Sequence, residues 1–380
     1  MSEASSDDRL LAGAMSGTSA DGVDAAVVQV RGRGLGMAAE LRGTGSDCFE
    51  PALRESIQRC RGDGVARFEE LCRIGRAIVG HYVVAVKRAC RAAAVEPGHL
   101  AAVAAHGQTL FHRPPDTIQW FDPAMLAAGL GCAVVSDFRR ADLAAGGQGA
   151  PLVPFADYLL FRDAKRSRVL LNLGGIANIT VLNAGADLDD VSAFDTGPGN
   201  CILDALCREH DPDGPGYDVD GAMASRGDVI GALLETCLAD GYFSRPPPKS
   251  TDGPAMIALF ERARRRVCEG PTEVADLLAS AAELTARTIG RAIERHAPGD
   301  AEVIVAGGGV TNRALMERLR RSCSRRTVRR SDELGVPSSA REAMAFALLG
   351  AATLDGEPSN VPAATGARRR VVLGSITPAP

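Results

Sequence analysis

The sequence predicts an α/β protein built from two related units, each opening on a β-hairpin with a small-residue tip. Three stretches predict it. In residues 10–30 two apolar runs flank Gly17-Thr18-Ser19-Ala20-Asp21-Gly22. In residues 169–182 two β-branched and apolar runs flank Gly174-Gly175, with a polar Asn178 beyond. Residues 303–306 form a short apolar run that enters the triple glycine Gly307-Gly308-Gly309, followed by a helix-like pattern over 312–320.

The first tip suits an anion. Glycine and other small residues let backbone N–H groups and hydroxyls come close to a phosphate oxygen, because no bulky Cβ stands in the way. Alone it would be an ordinary hairpin turn. Its recurrence in the second half instead suggests a duplicated unit that holds a nucleotide in the cleft between the halves. The triple glycine at a strand end leaves room for a flat base or a ribose. The expected division is 1–138 plus 345–380 for the domain carrying the first hairpin, and 139–344 for the second domain.

At 380 residues and 46% hydrophobic content, the chain can bury a large core. A net charge of −4 provides no basic field for nucleic acid, and the short arginine runs at 264–266 and 368–370 read as solvated surface. No apolar run is long enough to span a bilayer, and the acidic, polar start does not resemble a signal peptide, so no membrane partner and a cytoplasmic location are expected. The ten cysteines lack metal-ligand spacing and read as reduced, mostly buried thiols, with Cys201 a packing residue.

Along the chain, a third strand is expected near 36–43 and helices over 53–60 and 68–93. The apolar strand at 100–108 ends in His106-Gly107-Gln108-Thr109, with His112 just beyond. Open α/β sheets place ligands at that edge, although strand-end histidines also serve only to satisfy neighbouring backbone. The pair lacks a third ligand for a metal. Residues 141–154 form a glycine-rich connector that reads as the passage between domains. Next, the apolar run 191–194 breaks at Asp195 into Thr196-Gly197-Pro198-Gly199-Asn200, ahead of an amphipathic helix over 202–209. A carboxylate at that break is placed to face a ligand and is the first choice for catalysis. Its competing use is to cap the turn or helix. The proline-rich loop 242–251 carries Lys249 and either touches a sugar or braces the surface. The last long helix begins at Arg341-Glu342, where the helix dipole stabilises the Glu342 carboxylate whether or not it binds anything. The tail holds a Thr365-Gly366 turn and a final strand at 371–376 that returns to the first domain.

Taken in order, GTSADGVD, HGQT, QGAPLVP, NLGGIANIT, FDTGPGN, PPPKST and GGGVTN resemble the anhydro-N-acetylmuramic acid kinase family over nearly the whole chain. That family is similar to the sugar kinase, heat-shock ATPase and actin superfamily. The resemblance implies two ribonuclease-H-like (actin-like ATPase) domains with an interdomain nucleotide and sugar cleft. It implies ATP and Mg²⁺ as cofactors and an amino sugar, 1,6-anhydro-N-acetylmuramic acid, as the substrate, hydrolysed and phosphorylated during peptidoglycan recycling. ATP would be bound by Gly17, Thr18, Ser19, Ala20, Asp21, Gly22, Val23 and Asp24, together with Gly175, Gly197, Gly307, Gly308, Gly309 and Asn312. Asp195 would be the general base. Glu342, His106 and Gln148 would join it in holding the sugar, and Asp21, with Asp24 as a further candidate, would hold the metal through water. A homodimer is expected, since such domains often pair. The chain departs from the family pattern at Phe121, where a glycine normally stands, and at Asp252-Gly253-Pro254, where Gly-Arg-Glu is usual.

One carboxylate can serve the reaction so implied. It would take a proton from water aimed at the anomeric carbon while the released oxygen meets the γ-phosphoryl group, and domain closure would exclude bulk water. Competing expectations are a conventional hexose or amino-sugar kinase, a chaperone-like ATPase and a silent sugar sensor.

Overall fold

The computed structural model describes residues 8–17 and 19–380. The chain divides into two compact units, Met1–Leu160 with Ala340–Pro380, and Phe161–Ser339. Residues 139–160, expected in the second domain, fall in the first unit.

In unit 1, β1 (Asp8–Met15), β2 (Gly22–Arg31) and β3 (Ala38–Cys48) form an antiparallel meander. β1 then pairs in parallel with β4 (Ala102–His106), and β4 with β7 (Val134–Ser136). Parallel pairs need crossovers. Helices α1 (Pro51–Asp63) and α2 (Phe68–Ala92) lead to β4, and α3 (Pro123–Leu130) leads to β7. A small hairpin of β5 (Gln108–Arg113) and β6 (Asp116–Trp120), not anticipated from the sequence, is inserted after β4. Short helices α4 (Arg140–Ala144) and α5 (Pro154–Phe161) follow.

Unit 2 repeats the plan. Strands β8 (Arg168–Leu173), β9 (Ile176–Leu182) and β10 (Ser192–Pro198) form the meander. β8 pairs in parallel with β11 (Glu302–Ala306), which pairs with β12 (Val328–Arg330). Helices α6 (Cys201–His210), α7 (Gly231–Leu238), α8 (Gly253–Val267) and α9 (Val274–His296) form the first crossover, and α10 (Arg313–Ser322) the second. Numbered within each meander-and-crossover unit, the five strands of the unit 2 sheet and the first five of the six-stranded unit 1 sheet run 3-2-1-4-5 with the second strand reversed, which is the ribonuclease-H-like arrangement. The duplication inferred from two hairpins is therefore a duplication of topology.

The chain then returns to unit 1 as α11 (Arg341–Asp355), α12 (Pro362–Thr365) and β13 (Ser375–Thr377), which pairs antiparallel with β7. The final strand is shorter than the apolar letters at 371–376 suggest. The third strand is longer than expected, because β3 is an edge strand whose residues are half-exposed or exposed throughout and show no apolar run.

Each sheet is covered by helices whose apolar spacing matches their turn. In α2, Ile74, Ile78, Tyr82, Ala85 and Ala89 are buried at steps of three and four, packing with Val23, Val27 and Val103 of the sheet. On the other face α11 lies so close to β1 that a Cβ on Gly13 would stand 1.8 Å from the carbonyl oxygen of Ala343. In unit 2, Leu278, Ala281, Ala282 and Ile289 of α9 join Val169, Leu171, Val303 and Val305 in one core.

Candidate active site

The tip between β1 and β2 is a short turn closed by the Ala20 N–H donating to the Gly17 carbonyl at 3.1 Å. Ala20 is buried with φ 56°, so the chain spends a strained residue to bend here. The buried Ser16 hydroxyl donates to Oε1 of Gln108 at 2.7 Å, and Gln108 Nε2 donates back to the Gly17 carbonyl at 3.2 Å. The HGQT segment thus holds the tip from below. Ser19 and Asp21 are exposed, and Thr18 lies outside the described residues. Val23 is core. Asp21 forms an ion pair with Arg54 at 2.5 Å. Asp24 is exposed and has no hydrogen-bond or ion-pair partner among the described residues, and desolvation by the surrounding protein raises its pKa.

A second cluster of unit 1 gathers around Arg139. This half-buried side chain donates through Nε to Nε2 of His106 at 3.0 Å and through Nη1 to the Gly149 carbonyl at 2.9 Å. Burial lowers its pKa to about 10, against the opposing pull of the Glu342 carboxylate. His106 is 4% exposed, its pKa is held well down by burial and then by Arg139, and its Nδ1 is buried without a partner among the described residues. Accepting at Nε2 leaves the neutral ring with its proton on that orphaned Nδ1. Glu342, partly buried, has a pKa raised by burial, with Arg341 opposing the rise.

The glycine-rich stretch beside this cluster is built on an acid the sequence reading did not single out. Buried Asp142 accepts from the Gly149 N–H at 2.8 Å, Asn360 Nδ2 at 2.8 Å and the Thr365 hydroxyl at 2.7 Å. The Gln148 N–H donates to the Thr365 carbonyl at 2.8 Å, which leaves the exposed side chain of Gln148 beyond a fixed backbone. Residues 141–154 are accordingly pinned within unit 1, where the sequence suggested a passage between domains. Arg341, next to Glu342, is 3% exposed and pairs with buried Asp157 through contacts of 2.5 to 3.0 Å. This pair anchors the first turn of α11.

In unit 2, Asp195 lies in β10 where a bulge shifts the pairing with β9 between Asp195 and Gly197. Its Oδ2 accepts the Thr251 N–H at 2.9 Å, its N–H donates to the Lys249 carbonyl at 3.1 Å, and its carbonyl accepts the Tyr242 hydroxyl at 2.9 Å. The proline-rich loop is therefore the brace of this carboxylate. Burial pushes the Asp195 pKa up to about 6, with the Thr251 N–H and the Lys249 ammonium opposing it. Oδ1 takes no hydrogen bond among the described residues.

The other glycines of unit 2 are packed as much as open. The Gly174 and Gly175 carbonyls accept the N–H groups of Gly199, Asn200 and Cys201 at 2.8 to 3.0 Å, so the β8–β9 turn caps α6. Gly197 is buried. Gly307 has φ 92°, and a Cβ there would meet Asn172 Oδ1 at 2.7 Å and the Leu173 carbonyl at 2.8 Å. Gly309 packs against Leu173, whereas Gly308 faces open space. Asn312 caps α10, accepting the Leu315 N–H at 2.9 Å. Cys201 is buried and its thiol is raised to about 11, consistent with packing.

Each unit thus carries its own candidate cluster: a tip with a carboxylate and an Arg139–His106 pair in unit 1, and a carboxylate of raised pKa beside a glycine turn in unit 2. A family model described as anhydro-N-acetylmuramic acid kinase matches residues 9–379. The chain belongs to the anhydro-N-acetylmuramic acid kinase family. The anhydro-N-acetylmuramic acid kinase of Bordetella pertussis is 41% identical over 98% of this chain and 96% of its own length. Those of Gloeobacter violaceus and Caldanaerobacter subterraneus are 40% and 35% identical, over 98% of this chain and 100% and 97% of theirs. Among solved structures, the activator of the 2-hydroxyisocaproyl-CoA dehydratase from Clostridium difficile aligns with a TM-score of 0.47 and 10% identity, covering 90% of this chain and 94% of that one.

Both departures from the family pattern have a local account. Phe121 is buried and stacks on Tyr82 with centroids 5.5 Å apart, filling the space beside Gly107. Asp252 is the N-cap of α8, accepting the Ala255 N–H at 2.8 Å, and Pro254 stands in its first turn. No helix among the described residues is long and apolar enough to cross a membrane.

Proposed function

We propose that this kinase hydrolyses the 1,6-anhydro bond of 1,6-anhydro-N-acetylmuramic acid and transfers the γ-phosphoryl group of ATP to O6, giving N-acetylmuramic acid 6-phosphate. The observation that carries the reading is Asp195: one carboxylate oxygen held by a backbone N–H, the other without a donor among the described residues, and a pKa moved toward neutrality. A base of pKa about 6 is still ionised at neutral pH and is a stronger proton acceptor than an ordinary aspartate.

In this mechanism Asp195 Oδ1 accepts a proton from a water directed at the anomeric carbon. Water oxygen bonds to C1, the C1–O6 bond breaks, and O6 takes the phosphoryl group as ADP leaves. Backbone donors of the exposed tip around Gly17 and Ser19 would face the phosphates, where alignment and charge neutralisation are what phosphoryl transfer asks of a protein. His106 Nδ1–H and the Glu342 carboxyl supply a donor and an acceptor for the sugar, and Arg139 fixes the ring of the first.

Mg²⁺ fits the carboxylates present in a limited way. Among the described residues no three His, Cys, Asp or Glu side chains come together as a metal cage. Mg²⁺ in kinases needs only one or two carboxylates beside substrate phosphates and waters. Asp24, without a partner among the described residues, suits that role better than Asp21, which Arg54 already engages. When bound, the ion would offset charge on the transferred group.

The direct test is to incubate purified protein with Mg·ATP and the anhydro sugar. Mass spectrometry should find a product heavier by one water and one phosphoryl unit. A product carrying phosphoryl without water, or unchanged sugar beside ADP, would refute the reading.

A further inference from the structure

A pocket of about 130 Å³ opens in unit 2 on the side of β10 lined by Phe194 and Thr196, the two neighbours of Asp195 in the chain. Asp195 itself is not among its walls. Four basic side chains are: Lys249, Arg291, Arg295 and His296. Its floor is apolar, with the Phe194 ring edge-on to the His296 imidazole at 4.9 Å.

The charge in this pocket is not neutralised from within. Arg291 and Arg295 make no ion pair among the described residues. The acids nearest in sequence on α9 are committed elsewhere, Glu283 to Arg287 and Arg318, and Glu294 to Arg326. Lys249 donates to the Tyr242 and Phe243 carbonyls, at 3.3 and 3.4 Å, and stands 4.7 Å from the centroid of the Tyr242 ring, with no ion pair among the described residues. The one carboxylate in the wall, Asp240, accepts the Tyr242 N–H and lies 3.8 Å from Arg262. Mutual repulsion shows in the titration of the group: Arg295 and Lys249 both help to hold His296 down, and Arg295 and Arg245 do the same to Lys249, with burial the largest cause in each.

We propose that this pocket is an anion site that takes a phosphate group, free or as a sugar phosphate monoester. Two guanidiniums present forked donors, which match the oxygens of a phosphate. The volume is well below the roughly 300 Å³ at which pockets for larger ligands begin, so a nucleotide does not fit. The site is separate from the proposed chemistry yet joined to it, because the Lys249 carbonyl and the Thr251 N–H, on the loop that forms its rim, are the groups that hold Asp195.

Isothermal titration of the full chain with inorganic phosphate, and separately with N-acetylglucosamine 6-phosphate, tests the proposal without any need for turnover. Both arms should show one binding site in the wild type, and the sugar phosphate should bind more tightly if the pocket also holds part of the sugar. The exposed pair Arg291→Gln/Arg295→Gln should weaken phosphate at least tenfold, with an unchanged melting temperature and unchanged kinase activity in phosphate-free buffer. An affinity for phosphate unaltered in that variant, or no binding at tens of millimolar, overturns it. Lost kinase activity in the wild type with binding intact would count against the proposed reaction alone.

Discussion

The Arg139 guanidinium donates to Nε2 of His106 across 3.0 Å, and this bond leaves the imidazole proton on a buried Nδ1 that has no partner among the described residues. A buried donor without an acceptor is costly, and in the proposed mechanism the sugar supplies the missing acceptor.

Arg139→Gln should therefore act on sugar recognition. Losing a charge-assisted bond of roughly 1.5 to 3 kcal/mol corresponds to a fall of about tenfold to a hundredfold in kcat/KM for the sugar. The KM for ATP should hold. Steady-state kinetics with each substrate varied checks this, and an equal loss against both substrates would assign Arg139 a purely structural role.

Asp195→Asn should remove turnover by about two to four orders of magnitude, the usual contribution of a general base. It should also stabilise the fold. A carboxyl whose pKa rises from 3.8 to about 6 on folding is disfavoured when ionised, so above pH 6 the native state carries a penalty. The penalty is on the order of 1 to 3 kcal/mol and disappears as pH falls toward 3.8. At pH 8 the variant should melt higher than the wild type, while still accepting the Thr251 N–H through its amide oxygen. Near-normal activity would dismiss Asp195 as the base.

The same carboxyl sets a pH dependence. The active form is ionised, so kcat should fall as pH drops through about 6. Lys249→Met removes a cation that favours the charged form, which should move this acid limb to higher pH. A pH–rate profile of both proteins measures the shift, and a limb that stays put in the variant would detach Lys249 from the titration.

Breaking the Arg341–Asp157 pair should be far more harmful than its distance from Asp195 in the chain suggests. Both side chains are almost wholly buried, and removing one charge strands the other at a cost of about 3 to 5 kcal/mol. Urea unfolding of Asp157→Asn should show a clearly lower midpoint. Arg341→Met/Asp157→Leu, which removes both charges, should recover much of the loss.

Gly13→Ala probes the contact between β1 and α11. The new methyl would meet helix backbone at 1.8 and 2.5 Å, so α11 must move and carry Glu342 with it. Destabilisation of about 1 to 3 kcal/mol or more is expected, read from thermal or urea melts.

Much of this was legible in the letters because local rules write it there. The hairpins of both units are announced by apolar runs around glycines, and Asp195 by an apolar strand that breaks at a glycine-proline turn. The helical spacing of α2 gives its span almost to the residue. Pairings made across the chain left no such mark. Arg341 and Asp157 are 184 positions apart and Asp142 and Thr365 are 223 apart, so neither partner carries a periodic or motif signal for the other. The proline-rich loop was visible, but its role as the brace of Asp195 depends on backbone hydrogen bonds that no side chain encodes. Asn312 and the Gly174-Gly175 turn looked like ligand contacts, and the structure gives each a capping bond as well.

The claim on which the account rests is that water, activated by Asp195, opens the anhydro ring while phosphate goes to O6. Turnover in ¹⁸O-labelled water, followed by fragmentation of the product, examines it most directly. The account requires one label on the anomeric oxygen and none in the transferred phosphoryl group. Label in the phosphate, or an unlabelled sugar, would contradict it.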